Sequence, residues 1–193
     1  MDKVVQLKSK LSELYKDASC EHDLTHVLRV AYFAKIIGEK EGADLSVLIP
    51  AAYLHDIAQR KFTHATTRKT HAVLGANEAR KILTEMNFDK VDEICSAIMQ
   101  HSHSSPTDEK ETLEGICLFD ADKLDSVSIV AVARHLQLMA LEKNLNIVDA
   151  CKTYLEAEKE IKLKTKTAKG LDVNRSEAIE LCEKIIRQGT VKE

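Results

Sequence analysis

The chain has 193 residues, 44% of them hydrophobic and 31% charged, with a net charge of -3. That is enough chain for one domain with a real core. The mild charge gives no electrostatic reason to bind a nucleic-acid polymer or an anionic membrane. No apolar run approaches the roughly 20 residues that a membrane span needs. "MDKVVQLKSKL" has no continuous apolar block after its charges, so no secretory signal is expected and the chain is placed in the cytoplasm. Cys20, Cys95, Cys117, Cys151 and Cys182 are widely spaced and form no CxxC pair. This argues against a thiolate zinc site and for small buried apolar residues.

With only 6 Gly and 2 Pro, long helices with few breaks are expected. Val4, Leu7, Leu11 and Leu14 have helical spacing over 3–16. A second helix is predicted from about Asp23 to Lys40, with Leu24, Val27, Ala31 and Ala34 inward and Gly42 as its stop. Asp44 can cap the next, which carries Leu45, Leu48, Ala52 and Ile57, and Pro50 predicts a bend or a local start within it. After the basic loop "RKFTHATTRKT", Thr70 can cap a helix from His71 to Met86 with Leu74, Ala79, Ile82 and Leu83 inward. A further helix spans about Lys90 to His101. Pro106 marks a loop, and a long, interruptible helical pattern then runs from about Leu113 to Lys143. One or two more helices fill the remainder, including Ser176 to Arg187. No strand-type alternation of any length occurs, so the fold class is all-α, one domain over 1–193 packed around one core.

Chemistry concentrates on the eight histidines. A lone helical histidine is usually structural. "AAYLHDIAQ", however, sets His55 and Asp56 in an apolar run, where an uncompensated carboxylate is strongly disfavoured. A hydrogen-bonded Asp–His pair would satisfy it, and so would a divalent cation taking the carboxylate and the neutral imidazole. His22, His26 and Arg29 share one helix face, either as polar surface or as an i, i+4 metal pair. His101 closes a helix, where the dipole favours it, whereas His71 opens one, where a cationic ring is disfavoured and a neutral ligand is not. Asp120, Asp122 and Asp125 crowd an apolar helix, with Lys123 as an available counter-charge.

Taken in order, His26, His55-Asp56 and Asp122 resemble the H…HD…D signature of HD-superfamily metal-dependent phosphohydrolases. The context matches too. "HDLTHVLRV" looks like that family's first helix, "LHDIA" like its name-giving motif, and "HAVLGANEARKIL" like its H…GA…A…IL helix. "IMQHSHSSPTDEKETLEGICLFDADKLDSV" is similar to a small bacterial branch. The resemblance covers roughly residues 20 to 135, with the C-terminal helices completing an HD-type bundle.

It implies that His26, His55, Asp56 and Asp122 hold one metal, with Asp56 also serving the metal-activated water. His71 and His101 match the extra histidines of two-metal members, in which Asp56 bridges. Such oxygen and nitrogen ligands suit Mn, Fe, Ni or Co. The implied activity is hydrolysis of a phosphate ester or phosphoanhydride, with a nucleotide as a plausible small substrate. Arg29, Lys61, Lys123 and Arg134 are candidate phosphate partners beside the motifs. The same ligand order also resembles di-iron oxygenases such as myo-inositol oxygenase, and a non-catalytic metal or nucleotide sensor is a third reading. The chain departs from hydrolytic members after the HD pair. There Gln59, Arg60 and Lys61 replace an expected acid, leaving the general acid or base unassigned. The Gly-rich segment expected after D-A-D-x-L-D reads "SVSIVAVAR", and the H-H-E…D-G and G-Y-P signatures of cyclic dinucleotide phosphodiesterases do not occur. Oligomeric state is left open.

Overall fold

A computed structural model describes residues 2–18, 22–59, 70–102, 110–171 and 174–190. Among these residues there are ten helices and no strand, so the chain is all-α. No described helix is long and apolar enough to cross a membrane. The chain divides into two compact units, 1–122 and 123–193.

The first unit contains α1 (Lys3–Leu14), α2 (Leu24–Glu41), α3 (Leu45–Leu54), α4 (His71–Glu85), α5 (Val91–Gln100) and most of α6 (Leu113–Ser126). Its centre is α3, which packs against α1, α2, α4 and α5. Seven of its ten residues are buried: Val47, Leu48, Pro50, Ala51, Ala52, Tyr53 and Leu54. A helix apolar all round belongs in a core. Pro50 removes one backbone donor but starts no new element, and α3 runs through it from Leu45 to Leu54. His55 caps its C-terminus, so the HD pair lies where the core helix ends.

Local signals set the helix limits. Asp23 accepts from the His26 N–H at 2.8 Å and starts α2, and Gly42 ends it with φ of 82°. Asp44 starts α3 by accepting from the Ser46 N–H at 2.8 Å. Its carboxylate also takes Lys90 Nζ, which precedes α5, and its own N–H donates to Glu114 Oε1 on α6 at 2.9 Å. One exposed residue thus ties the starts of three helices. Thr70 stands at the N-cap of α4 without a side-chain cap bond. The buried stripe of α4 is Ala72, Gly75, Ala76, Ala79 and Leu83. Leu74, expected inward, is 38% exposed, because the small residues and not the leucine carry the close packing.

The second unit contains α7 (Ile129–Lys143), α8 (Ile147–Lys159), α9 (Lys166–Leu171) and α10 (Arg175–Gly189). The long pattern from Leu113 breaks at Val127–Ser128, where Ser128 is extended and its hydroxyl accepts from the Ala131 N–H at 3.2 Å. Beyond Lys143 stand three described helices rather than one or two. The additional one, α9, is six residues long and begins after Thr165, whose hydroxyl accepts from the Ala168 N–H at 3.1 Å. Ala131, Val132, Cys151, Tyr154, Ala178 and Cys182 form this unit's core. Cys95, Cys117, Cys151 and Cys182 are all buried free thiols, as their spacing predicts. Cys20 lies outside the described residues.

Two predictions follow from this packing. A Cβ on Gly75 would lie 2.9 Å from the backbone carbonyl oxygen of His55, which cannot swing away. Gly75→Ala should therefore lower the unfolding free energy in urea by about 1–3 kcal/mol. Gly170→Ala, where a Cβ meets nothing within 4 Å, should not destabilise. The hydrogen bond from Lys90, then those from Ser46, hold the Asp44 carboxyl down at about 2. A depressed carboxyl stabilises the fold above its unfolded value near 4 and loses that contribution as pH falls toward 2. Asp44→Ala should cost about 1 kcal/mol at pH 7, the usual worth of such a cap. In denaturation curves the gap to wild type should close between pH 4 and 2.

Candidate metal centre

The turn after α3 buries both members of the HD pair, His55 fully and Asp56 to 3% exposure. Three further elements bring their side chains to it. The first turn of α2 supplies His26, held by the Asp23 cap. The end of α5 supplies His101, and α6 supplies Asp122; all three residues are buried. His71, the first residue of α4, completes the group and is half-buried.

The two oxygens of Asp56 face different partners. Oδ2 lies 3.3 Å from His55 Nε2 and 3.4 Å from His26 Nε2. Oδ1 lies 3.6 Å from His101 Nε2. Asp122 Oδ1 stands 3.5 Å from His26 Nε2 and 3.9 Å from His55 Nε2. The imidazoles also meet in pairs, His26 and His55 with Nε2 atoms 3.3 Å apart, His71 and His101 with theirs 3.2 Å apart. His26, His55 and Asp122 therefore form one group able to hold an ion, Asp56, His71 and His101 another, and His22, His26 and Asp56 a third, the ligand atoms of each lying within 4.8 Å of one another.

Tautomers follow from the surroundings. His55 Nδ1 is 2.9 Å from the Ala52 carbonyl oxygen, and His101 Nδ1 is 2.5 Å from that of Ile98. A carbonyl only accepts, so each Nδ1 carries a proton, which leaves each Nε2 to face Asp56, with a lone pair available to a cation when the ring is neutral. Metal-binding histidines are oriented in this way. His55 Nε2 also meets His26 Nε2, and His101 Nε2 meets His71 Nε2, so a proton or a cation must stand between the nitrogens of each pair. The electrostatics agree. Burial pushes the His55 pKa down, but Asp56 and then Asp122 outweigh it and leave it raised. Burial likewise works to raise Asp56, yet His55 and His22, with hydrogen bonds from His101 and His22, hold it well below the usual carboxylate range. The cluster keeps its carboxylate ionised and its centre receptive to a cation. With no cysteine among them, these donors fit a borderline divalent transition ion.

Two further side chains reach Asp56. His22 Nδ1 lies 2.6 Å from Oδ2, and the Gln59 amide donates to Oδ1 at 3.0 Å. The i, i+4 spacing of His22 and His26 singled out His22, but its contact with Asp56, 34 residues away, has no sequence signal. Arg29 is half-buried one turn from His26 and donates to the Thr25 hydroxyl at 3.1 Å. Lys123 follows Asp122 and is half-buried. In the second unit Arg134 donates to Asp125 Oδ2 at 2.6 Å, and His135 stands 2.9 Å from the Thr153 hydroxyl against the Tyr154 ring. Lys61, Arg60, Arg68, His64 and His103 lie outside the described residues.

The HD domain family model matches residues 23–127, more than half of the chain. The chain belongs to the HD-domain family. A predicted HD superfamily hydrolase from an uncultured Thermotogales bacterium is 30% identical, with 96% of this chain and 92% of that one superposed at a TM-score of 0.63. Bacillus subtilis YpgQ, solved in complex with ADP, is 26% identical over 96% and 92% of the two chains at a TM-score of 0.69. In sequence, YpgQ is 32% identical over 129 residues, 67% of this chain and 62% of YpgQ. Ribonuclease Y of Rubrobacter xylanophilus is 26% identical over 145 residues, 75% of this chain and 26% of that protein. The match thus spans less than two thirds of either curated relative. HD domains bind divalent metals, and the His/Asp groups described above are able to do so.

Binding of Mn²⁺ at about 100 times its Kd should raise the unfolding free energy by about 2.7 kcal/mol. Elemental analysis and thermal melts should show that His55→Ala and Asp56→Ala lose both the bound metal and this increment. His135→Ala should keep both.

Proposed function

We propose that this HD-domain protein is a metal-dependent phosphohydrolase acting on a small phosphorylated substrate, a nucleotide. His26, His55, Asp56 and Asp122 hold the first ion. His71, His101 and the other oxygen of Asp56 hold a second. The observation that carries this reading is the Asp56 carboxylate, with one oxygen toward each set of imidazoles. Divalent ions at these positions supply Lewis acidity, activating water for attack at phosphorus and polarising a phosphoryl oxygen.

The chain's own residues do the rest. His55 and His101, each fixed through Nδ1 by a backbone carbonyl, keep their donor atoms aimed without reorganising during the reaction. Arg29, one turn from His26, and Lys123, next to Asp122, meet the phosphate charge. Arg134 donates to Asp125 Oδ2, a contact that supports a role in helix packing. Gln59 is an amide and cannot take up a proton, so Gln59 is not the general acid or base, which stays unassigned. Two relatives support the nucleotide: YpgQ was solved with ADP, and ribonuclease Y is named for RNA, a phosphodiester.

A screen of nucleoside mono-, di- and triphosphates and sugar phosphates with Mn²⁺, Fe²⁺, Ni²⁺ and Co²⁺ tests this. Metal-dependent phosphate or pyrophosphate release is expected under anaerobic conditions. Asp56→Ala should abolish it, and Arg29→Ala should raise KM more than it lowers kcat. Oxygen uptake with an organic substrate, without phosphate release, would favour the oxygenase reading instead.

A further inference from the structure

We propose that His22 and Gln59 are positioning residues that clamp the Asp56 carboxylate in its bridging orientation, and so decide whether the second ion binds. This rests on the two-ion reading above.

The terminal torsion of an aspartate is broad and holds no orientation by itself. Here each oxygen must address a different partner set: Oδ2 toward His26 and His55 at 3.4 and 3.3 Å, Oδ1 toward His101 at 3.6 Å. Turning the carboxylate through a quarter circle would take both oxygens off these axes. Donors from separate segments oppose that turn. His22 lies just before the α2 cap and meets Oδ2 at 2.6 Å, the shortest contact recorded for this carboxylate. Gln59 follows in the turn after α3 and donates to Oδ1 at 3.0 Å. With Asp56 buried, both contacts lie away from competing water.

The two ions depend unequally on this clamp. The first keeps His26, His55 and Asp122 if Asp56 rotates. The second has His71, His101 and Oδ1 only. Loss of a clamp should therefore fall on the second ion. Gln59 thus has a use that the missing acid would not predict. A neutral donor holds the carboxylate without adding a second negative charge beside it.

The test is a Mn²⁺ titration of the full chain by calorimetry, with electron paramagnetic resonance to separate isolated from exchange-coupled ions. Wild type should bind in two steps and end with the coupled signature. His22→Ala and Gln59→Met should keep the first step and weaken the second by about 10–100-fold, the usual effect of losing a group that orients a ligand. His22→Asn, whose amide can stand where Nδ1 stands, should restore both the second step and the coupled spectrum. The proposal is overturned if both variants titrate as wild type. It is also overturned if His22→Ala loses the first ion and His22→Asn does not recover it, which would make His22 a ligand. His101→Ala separates the two levels of the argument. If wild type shows one step only and His101→Ala matches it, the two-ion reading itself fails, and the clamp fails with it.

Discussion

The first unit is organised around one buried carboxylate. Asp56 sits at the end of the most buried helix, where an ionised group is tolerated only among positive charges or strong donors. Four imidazoles and one amide surround it. Each of these neighbours is itself a cost to the fold. His26, His55 and His101 are buried rings that could have been leucines, and Asp122 adds a second carboxylate to the same space. A core selected for stability alone would replace such a cluster with apolar residues at little loss. Its assembly from α2, α3, α4, α5 and α6 gathers His and Asp groups able to hold a metal ion.

The rest of the unit serves the precision of that assembly. Every donor sits at or near a helix end, where backbone groups are available to orient it. The Ala52 and Ile98 carbonyls at the ends of α3 and α5 turn His55 and His101, and the Asp23 cap fixes the first turn that bears His26. Small residues let the helices approach: at Gly75 the backbone of α4 passes the His55 carbonyl with no room for a methyl group, and at Gly115 the side chain of Gln100 fills the equivalent space. Gln100 then accepts from the Thr112 N–H at 2.7 Å, fastening the end of α5 to the residues that lead into α6. Two ligand-bearing elements are joined one residue away from His101.

Much of this is written in the sequence, at different depths. Helix limits are local events, and Asp23, Gly42, Asp44 and Ser128 mark them by residue type alone. The short α9 escapes because six residues carry too little periodicity to stand out. Leu74 misleads because hydrophobicity suggests burial, while close packing selected alanine and glycine on the neighbouring face. The donor cluster is a different matter. No property of His26 taken singly separates a ligand from a polar surface residue, His71 offers only its place at a helix start, and their meeting depends on five segments closing in space. Only the order and context of the whole set, as a family resemblance, pointed to it. Contacts across the chain, such as those of His22 with Asp56 and of Arg134 with Asp125, carry no spacing rule, so a helix-face reading places such residues without naming their partners.

Gln59 shows how one substitution redirects a site. An acid at this position would bring a third carboxylate to a centre that already holds Asp56 and Asp122, binding cations more tightly and offering a proton acceptor. The amide does neither. It donates to Asp56 Oδ1 at 3.0 Å. Imidazole donors with modest negative charge suit ions that bind imidazole well better than those that need many oxygen ligands. An amide also takes up no proton, so Gln59 itself is no general base. The chemistry that remains for this turn is orientation: an ionised carboxylate, held from both sides, shared between two sets of imidazoles.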